Sequence, residues 1–158
     1  MSNRGVFVVA FLTVVLIFAG AFAIPEYFPY ELLKCSIYVV IAMMVFFGEN
    51  TYSYMLGIVA PIVGMLCNIL LGGFFSEFSV LWASVTMKPL PIMDTPLHAL
   101  AILTEVLLVI LCLRAWRKEV TGPFFGKVFG VSLVVSLGYV GVLAGWYVFG
   151  TAPTGRLP

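Results

Sequence analysis

The sequence predicts an all-α protein, a polytopic bundle of transmembrane helices, from its composition and from the spacing of its apolar segments. Hydrophobic residues make up 63% of the 158 residues and charged residues only 9%, whereas soluble domains are about 25% charged. Five segments approach the ~20 apolar residues that a helix needs to cross a bilayer. The length suits one compact bundle, so we expect a single integral membrane domain over residues 1–158.

The predicted spans are separated by residues that end helices. They cover Val6–Ile24, Leu32–Gly48, Tyr52–Phe75, Leu97–Leu113 and Phe124–Phe149. Pro25 and Pro29 end the first span, and Gly48, Glu49 and Asn50 predict a tight hairpin between the second and third. Residues 76–95 form the only long predicted connection. Charged residues, followed by Gly122 and Pro123, separate the last two spans.

The first span has two interpretations. Arg4, an apolar run and the small-x-small sequence Ala21-Phe22-Ala23 fit a cleavable signal peptide, and four spans then remain. The alternative is an uncleaved first span, which gives five. Both leave the topology of the other helices unchanged.

The distribution of Lys and Arg predicts the orientation, because cytoplasmic loops carry the excess of positive charge. With the N-terminus inside, five basic residues fall inside and three outside. The inner set is Arg4, Arg114, Arg117, Lys118 and Lys127, and the outer set is Lys34, Lys88 and Arg156. We therefore expect an integral protein of a bacterial or archaeal cytoplasmic membrane, with its N-terminus in and its C-terminus out.

Two helices carry packing signals. Glycines recur near one face of the last predicted helix, at Gly126, Gly130, Gly138, Gly141 and Gly145. Small residues let helix backbones approach closely in lipid, so this stripe predicts packing inside the fold or, alternatively, a homodimer seam through Gly141 and Gly145. Pro61 removes an N–H donor from the third span and predicts a kink there. A kinked helix can line a transport site, but a purely structural kink is the simpler explanation of the proline.

The strongest functional signal is Glu105, a carboxyl at the centre of the fourth span. An ionisable group at that depth is costly and often functional. His98 precedes it by seven residues, which puts the two side chains near one helix face, about 10 Å apart along the axis. The hypothesis is a polar pocket with Glu31, Lys34, Asn68 and His98 at its mouth and Glu105 at its floor.

Two roles remain open for Glu105. It is a neutral carboxyl that bonds two helices together through a hydroxyl such as Tyr38, Tyr139 or Ser136, or it binds an ion or proton in transit.

Several chemistries are disfavoured by the sequence. A net charge of +1 argues against a nucleic-acid partner, which demands a clear basic excess. One histidine cannot supply a bis-His haem, and the three cysteines form no CxxC pair. Walker-type loops, HExxH and GxSxG sequences are absent. We therefore expect no cofactor, no metal site and no enzymatic activity.

Three functional classes remain. The first is a transport or solute- and ion-binding membrane component that uses the midplane carboxylate. The second is a non-catalytic accessory subunit of a larger membrane complex. A membrane enzyme that handles a lipid or quinone ranks last, because no motif supports it. The expected partners are the lipid bilayer and either other membrane subunits or further copies of the chain.

Overall fold

The chain folds as a bundle of α-helices. The computed structural model describes residues 2–23, 28–70, 73–86 and 96–150, and within these ranges it contains helices and no strand. The helices are α1 (Ser2–Ala23), α2 (Phe28–Phe46), α3 (Asn50–Leu70), α4 (Gly73–Val85), α5 (Pro96–Glu119) and α6 (Lys127–Gly150). Five of them, all except α4, are long and apolar enough to cross a membrane, which confirms the predicted transmembrane fold class.

The short helix α4 was not predicted. The apolar pattern predicts a third span that continues to Phe75 and a long connection after it, whereas α3 covers Asn50–Leu70 and α4 covers Gly73–Val85. The two residues between these helices lie outside the described residues. With 13 residues, α4 extends about 20 Å and is too short to span the hydrocarbon core. Lys88 and the rest of residues 87–95 lie outside the described residues.

Side-chain contacts show that the helices alternate in direction. At one end, Asn3 on α1 hydrogen-bonds Asn50 on α3 (Nδ2 to Oδ1, 3.1 Å), so both helices begin there. Tyr54 donates to Glu119 Oε2 at 2.6 Å, so α5 finishes at the same end. We call this the basic end, because Arg4 and the basic residues that close α5 lie there. The opposite end, where α1 finishes and α2 and α5 begin, is the His98 end.

The predicted hairpin between α2 and α3 is confirmed. Only residues 47–49 separate the two helices. Gly48 has a φ of 85°, in the left-handed region that side chains rarely adopt, and the N–H of Asn50 donates to the carbonyl of Gly48 at 2.9 Å. This turn fixes α2 and α3 as antiparallel neighbours.

The core surrounds α3. Every residue from Ser53 to Pro61 is buried, which means that neighbours cover this part of α3 on all sides. Pro61 lies within the helix, as the sequence indicated, and leaves the carbonyl of Gly57 without its usual donor. A Cβ built on Gly57 would lie 2.6 Å from Cys112 Sγ, so glycine lets α3 approach α5 closely.

The glycines of α6 do not pack inside the fold, and that part of the prediction is wrong. Gly126 precedes the helix, and no described neighbouring atom lies within 4 Å of a Cβ built on Gly130, Gly138, Gly141 or Gly145. The buried face of α6 instead carries Ser132 and Ser136. At 100° per residue, the glycines fall on the opposite face and point away from the bundle. The homodimer alternative is untested.

Candidate functional site

A buried carboxyl and a buried phenol meet in the middle of the bundle. Glu105 is the tenth residue of the 24-residue α5 and only 6% exposed. Tyr38 on α2 is 4% exposed, and its hydroxyl lies within hydrogen-bonding range of the Glu105 carboxyl. Each group therefore has a polar neighbour, which two groups buried at this depth require.

Tyr139 connects α6 to the same region. Its hydroxyl donates to the backbone carbonyl of Lys34 on α2 at 2.8 Å. Its ring hydroxyl also lies within electrostatic range of Glu105 and of Glu31. Tyr139 therefore ties α6 to α2 and brings a second phenol within range of both acids.

An acid, an imidazole and an ammonium group meet at the His98 end. Glu31 is 7% exposed, and its Oε1 lies 3.4 Å from His98 Nε2. Lys34 Nζ lies 3.9 Å from Glu31 Oε2, across one helical turn. Within the described residues, Glu31 Oε2 has no hydrogen-bond partner. The carboxyl therefore keeps acceptor capacity for a further donor.

Glycine in α1 makes room for the imidazole. A Cβ built on Gly20 would lie 3.1 Å from His98 Nε2, which is tighter than ordinary contacts between atoms. The absence of a side chain at Gly20 lets His98 reach Glu31 across the end of α1. This role of Gly20 is not predictable from the sequence, because glycine in an apolar helix is not distinctive.

These groups form a polar column. Glu31, Cys35 and Tyr38 lie at i, i+4 and i+7 on one face of α2, and His98 and Glu105 lie at i and i+7 on α5. The two faces meet at both levels, through Glu31 with His98 and through Tyr38 with Glu105. Seven residues correspond to about 10 Å, so the two levels are separated by that distance along the bundle. The column comprises Glu31, Lys34, Tyr38, His98, Glu105 and Tyr139.

Asn68 is half-buried near the end of α3, towards the His98 end, and its place in the predicted pocket stays a prediction. Ser136 is fully buried, but its hydroxyl donates to the carbonyl of Ser132 within α6 at 2.7 Å. Thr104, next to Glu105 in sequence, faces α1 and accepts a hydrogen bond from Thr13 at 2.9 Å. Of the three hydroxyl groups considered as partners for Glu105, those of Tyr38 and Tyr139 lie within electrostatic range of its carboxyl.

A second polar cluster lies at the basic end and was not predicted. The fully buried Tyr54 places its hydroxyl between the side chains of Asn3 and Glu119 and donates to Glu119. Asn3 also contacts Asn50. These four residues join the ends of α1, α3 and α5. In the sequence, Tyr54 is one tyrosine in an apolar segment, and that pattern does not identify its partners.

An apolar groove runs along the bundle surface between α1 and α2, with a volume of about 340 Å³. Aromatic and aliphatic side chains of both helices line it, among them Phe7, Phe11, Val39, Met43, Phe46 and Phe47. No titratable side chain belongs to its lining. The groove is therefore lined by apolar side chains.

Comparison with protein-family models, with curated proteins and with solved structures finds no match to this chain. Within the described residues, no group of three or more His, Cys, Asp or Glu side chains is arranged to hold a metal ion. The polar column offers carboxyl, imidazole, ammonium and phenol groups.

Proposed function

We propose that this chain is a small membrane protein that binds and passes protons or small cations through Glu105. The observation that carries the proposal is the alignment of two buried carboxyls on one column. Glu105 is paired with a phenol in the middle of the bundle, and Glu31 is paired with an imidazole about 10 Å away.

The surroundings of Glu105 favour a proton or ion that binds and leaves over a fixed Lys or Arg side chain as the partner of its carboxyl. The Lys and Arg residues of the described helices lie within the first or last two turns of those helices. An ionised carboxylate at the midplane is costly, and a bound proton or cation removes that cost. Because Glu105 and Tyr38 are closely surrounded by protein, a proton or a desolvated small cation fits better than a large solute.

The His98 end supplies an entry point in this proposal. Histidine is the side chain whose ordinary pKa allows proton exchange near neutral pH. Glu31 retains an oxygen that can accept another donor. Tyr139 and Tyr38 then lie between this end and Glu105, where phenol groups can extend a hydrogen-bonded path.

The orientation expected from the basic residues would open this entry to the outside, with the N-terminus in the cytoplasm.

The proposal is tested with purified protein in liposomes that contain a pH-sensitive dye. An imposed pH gradient and membrane potential should drive proton entry through the wild-type chain. Glu105→Gln keeps the shape but cannot exchange a proton, so its flux should fall to that of protein-free liposomes. Glu119→Gln is the matched control, because this acid lies outside the column and the amide oxygen still accepts from Tyr54. A Glu105→Gln variant with wild-type flux at every pH would contradict the proposal.

The accessory-subunit hypothesis retains one supporting observation. The glycine face of α6 points away from the bundle and offers a close-contact surface to another membrane helix. In that case the isolated chain should carry no flux, and gentle detergent extraction from its native membrane should recover a larger complex. Both results together would favour the accessory role over transport.

A further inference from the structure

The apolar groove between α1 and α2 has the position and size of a site for a hydrocarbon chain. It occupies the half of the two helices nearer the basic end, since its lining runs from Phe7 on α1 to Phe47 after α2. Its volume of about 340 Å³ lies in the range of ~300–1,000 Å³ that is usual for small-molecule sites. Phe11, Phe46 and Phe47 are exposed along it, so acyl chains rather than water are the natural contact in a membrane.

A positive charge lies in register with the groove. Arg4 precedes Phe7 by three residues and Phe11 by seven, which places all three on one face of α1. Arg4 is exposed at the first turn of the helix. A guanidinium group in this position suits a phosphate, which it can bind through two parallel hydrogen bonds.

A negative charge lies at the same end of the bundle. The hydrogen bond between Asn3 and Asn50 brings their sequence neighbours, Arg4 and Glu49, to the same part of the basic end. Glu49 is exposed and follows the groove residue Phe47 by two positions. The basic end of the bundle, where the groove finishes, therefore carries one exposed cation and one exposed anion on flexible side chains.

We propose that this groove binds one molecule of phosphatidylethanolamine. An acyl chain would lie in the groove, the phosphate against Arg4 and the primary ammonium against Glu49. A headgroup with both charges complements both side chains, whereas an anionic headgroup without an amine leaves Glu49 facing like charge. A choline headgroup carries a quaternary ammonium that cannot donate a hydrogen bond to a carboxylate. This site is separate from the polar column and does not depend on the function proposed for Glu105.

Native mass spectrometry of the detergent-purified chain tests the lipid choice. The protein is mixed with phosphatidylethanolamine, phosphatidylglycerol or phosphatidylcholine of identical acyl chains. The expected result is one retained phosphatidylethanolamine per chain, with about tenfold weaker retention of the other two lipids. Equal retention of all three, or recovery of a second copy of the chain in place of a lipid, would overturn the proposal.

Paired variants locate the site. Val39→Trp fills the groove, and Val40→Trp places the same side chain on a neighbouring surface position; the two valines are 39% and 45% exposed. Retention should fall about tenfold for Val39→Trp and stay at the wild-type level for Val40→Trp. Glu49→Gln should lower the retention of phosphatidylethanolamine to that of phosphatidylglycerol. Arg4→Gln should lower the retention of both lipids. Identical retention by the two tryptophan variants would contradict the groove as the lipid site. Arg4→Gln changes only an exposed side chain, so its effect on retention can be measured without a change in folding.

Discussion

At the scale of single residues, the contact that matters most is the one between the Tyr38 hydroxyl and the Glu105 carboxyl. Both side chains are almost completely buried, and they belong to different helices. An unpaired polar group in such a place loses its hydration without replacement. The phenol therefore contributes to stability and defines where the carboxyl points.

Tyr38→Phe tests this contact with minimal change of shape. The variant leaves the Glu105 carboxyl without its phenol donor, and the free energy of unfolding should fall by about 1–3 kcal/mol, the usual cost of an unsatisfied buried group. Thermal or denaturant unfolding in detergent measures the change. Tyr52→Phe is the control, since Tyr52 is exposed, and it should have almost no effect. Equal stability of the two variants would show that the contact between Tyr38 and Glu105 contributes nothing to stability.

Residue depth was easier to predict than residue partners. The position of Glu105 at the centre of an apolar segment predicted its burial, and the seven-residue spacing predicted that His98 shares its face. The choice among Tyr38, Tyr139 and Ser136 could not be made, because a sequence does not fix how each helix is rotated against its neighbours. Ser136 illustrates this, since its hydroxyl bonds a carbonyl of its own helix.

At the scale of helices, close packing of α3 against α5 depends on Gly57. A methyl group there would meet Cys112 Sγ at 2.6 Å, a separation so short that the helices or the cysteine side chain would have to shift. Both residues lie in the buried core, where overpacking costs stability. The contact also lies one turn from Pro61, so α3 has little freedom to shift.

A double-mutant cycle tests the packing of α3 on α5. Gly57→Ala should lower the free energy of unfolding by about 1–3 kcal/mol, because the added methyl group overlaps the sulfur. Cys112→Ala removes that sulfur and leaves its Cβ at 3.7 Å, an ordinary contact distance. The double variant should therefore lose less free energy of unfolding than the sum of the losses of the two single variants. Additive effects, measured by unfolding in detergent, would show that the two positions do not interact.

Helix patterns predicted which residues share a face but not the direction of that face. The spacing of the α6 glycines placed them together correctly, yet the face points away from the bundle. Ser132 and Ser136 occupy the buried side instead, held by a local hydrogen bond that sequence spacing alone does not reveal. The boundary between α3 and α4 was also missed, because an apolar composition continues across both helices.

At the scale of the whole molecule, orientation determines what the polar column can do. Five of the described helices are long and apolar enough to cross a membrane, and an odd number of crossings would put the two ends of the bundle's chain path on opposite sides of the bilayer. The Glu31–His98 contact lies at the end opposite the basic residues, so the positive-inside rule would direct it away from the cytoplasm. A proton or cation would then enter from outside and reach Glu105 before crossing the basic half.

Cysteine labelling in intact cells tests this orientation. Cys67, the native cysteine that is not fully buried, is first replaced by alanine, while Cys35 and Cys112 are buried. Thr121→Cys marks the exposed connection before α6, and Thr154→Cys marks the tail after it. A membrane-impermeant thiol reagent should label position 154 in intact cells and position 121 only after lysis. The reverse pattern would invert the orientation and turn the His98 end towards the cytoplasm. Labelling of both positions from outside would show that α6 does not cross, because two sites flanking a membrane-spanning helix cannot face the same side.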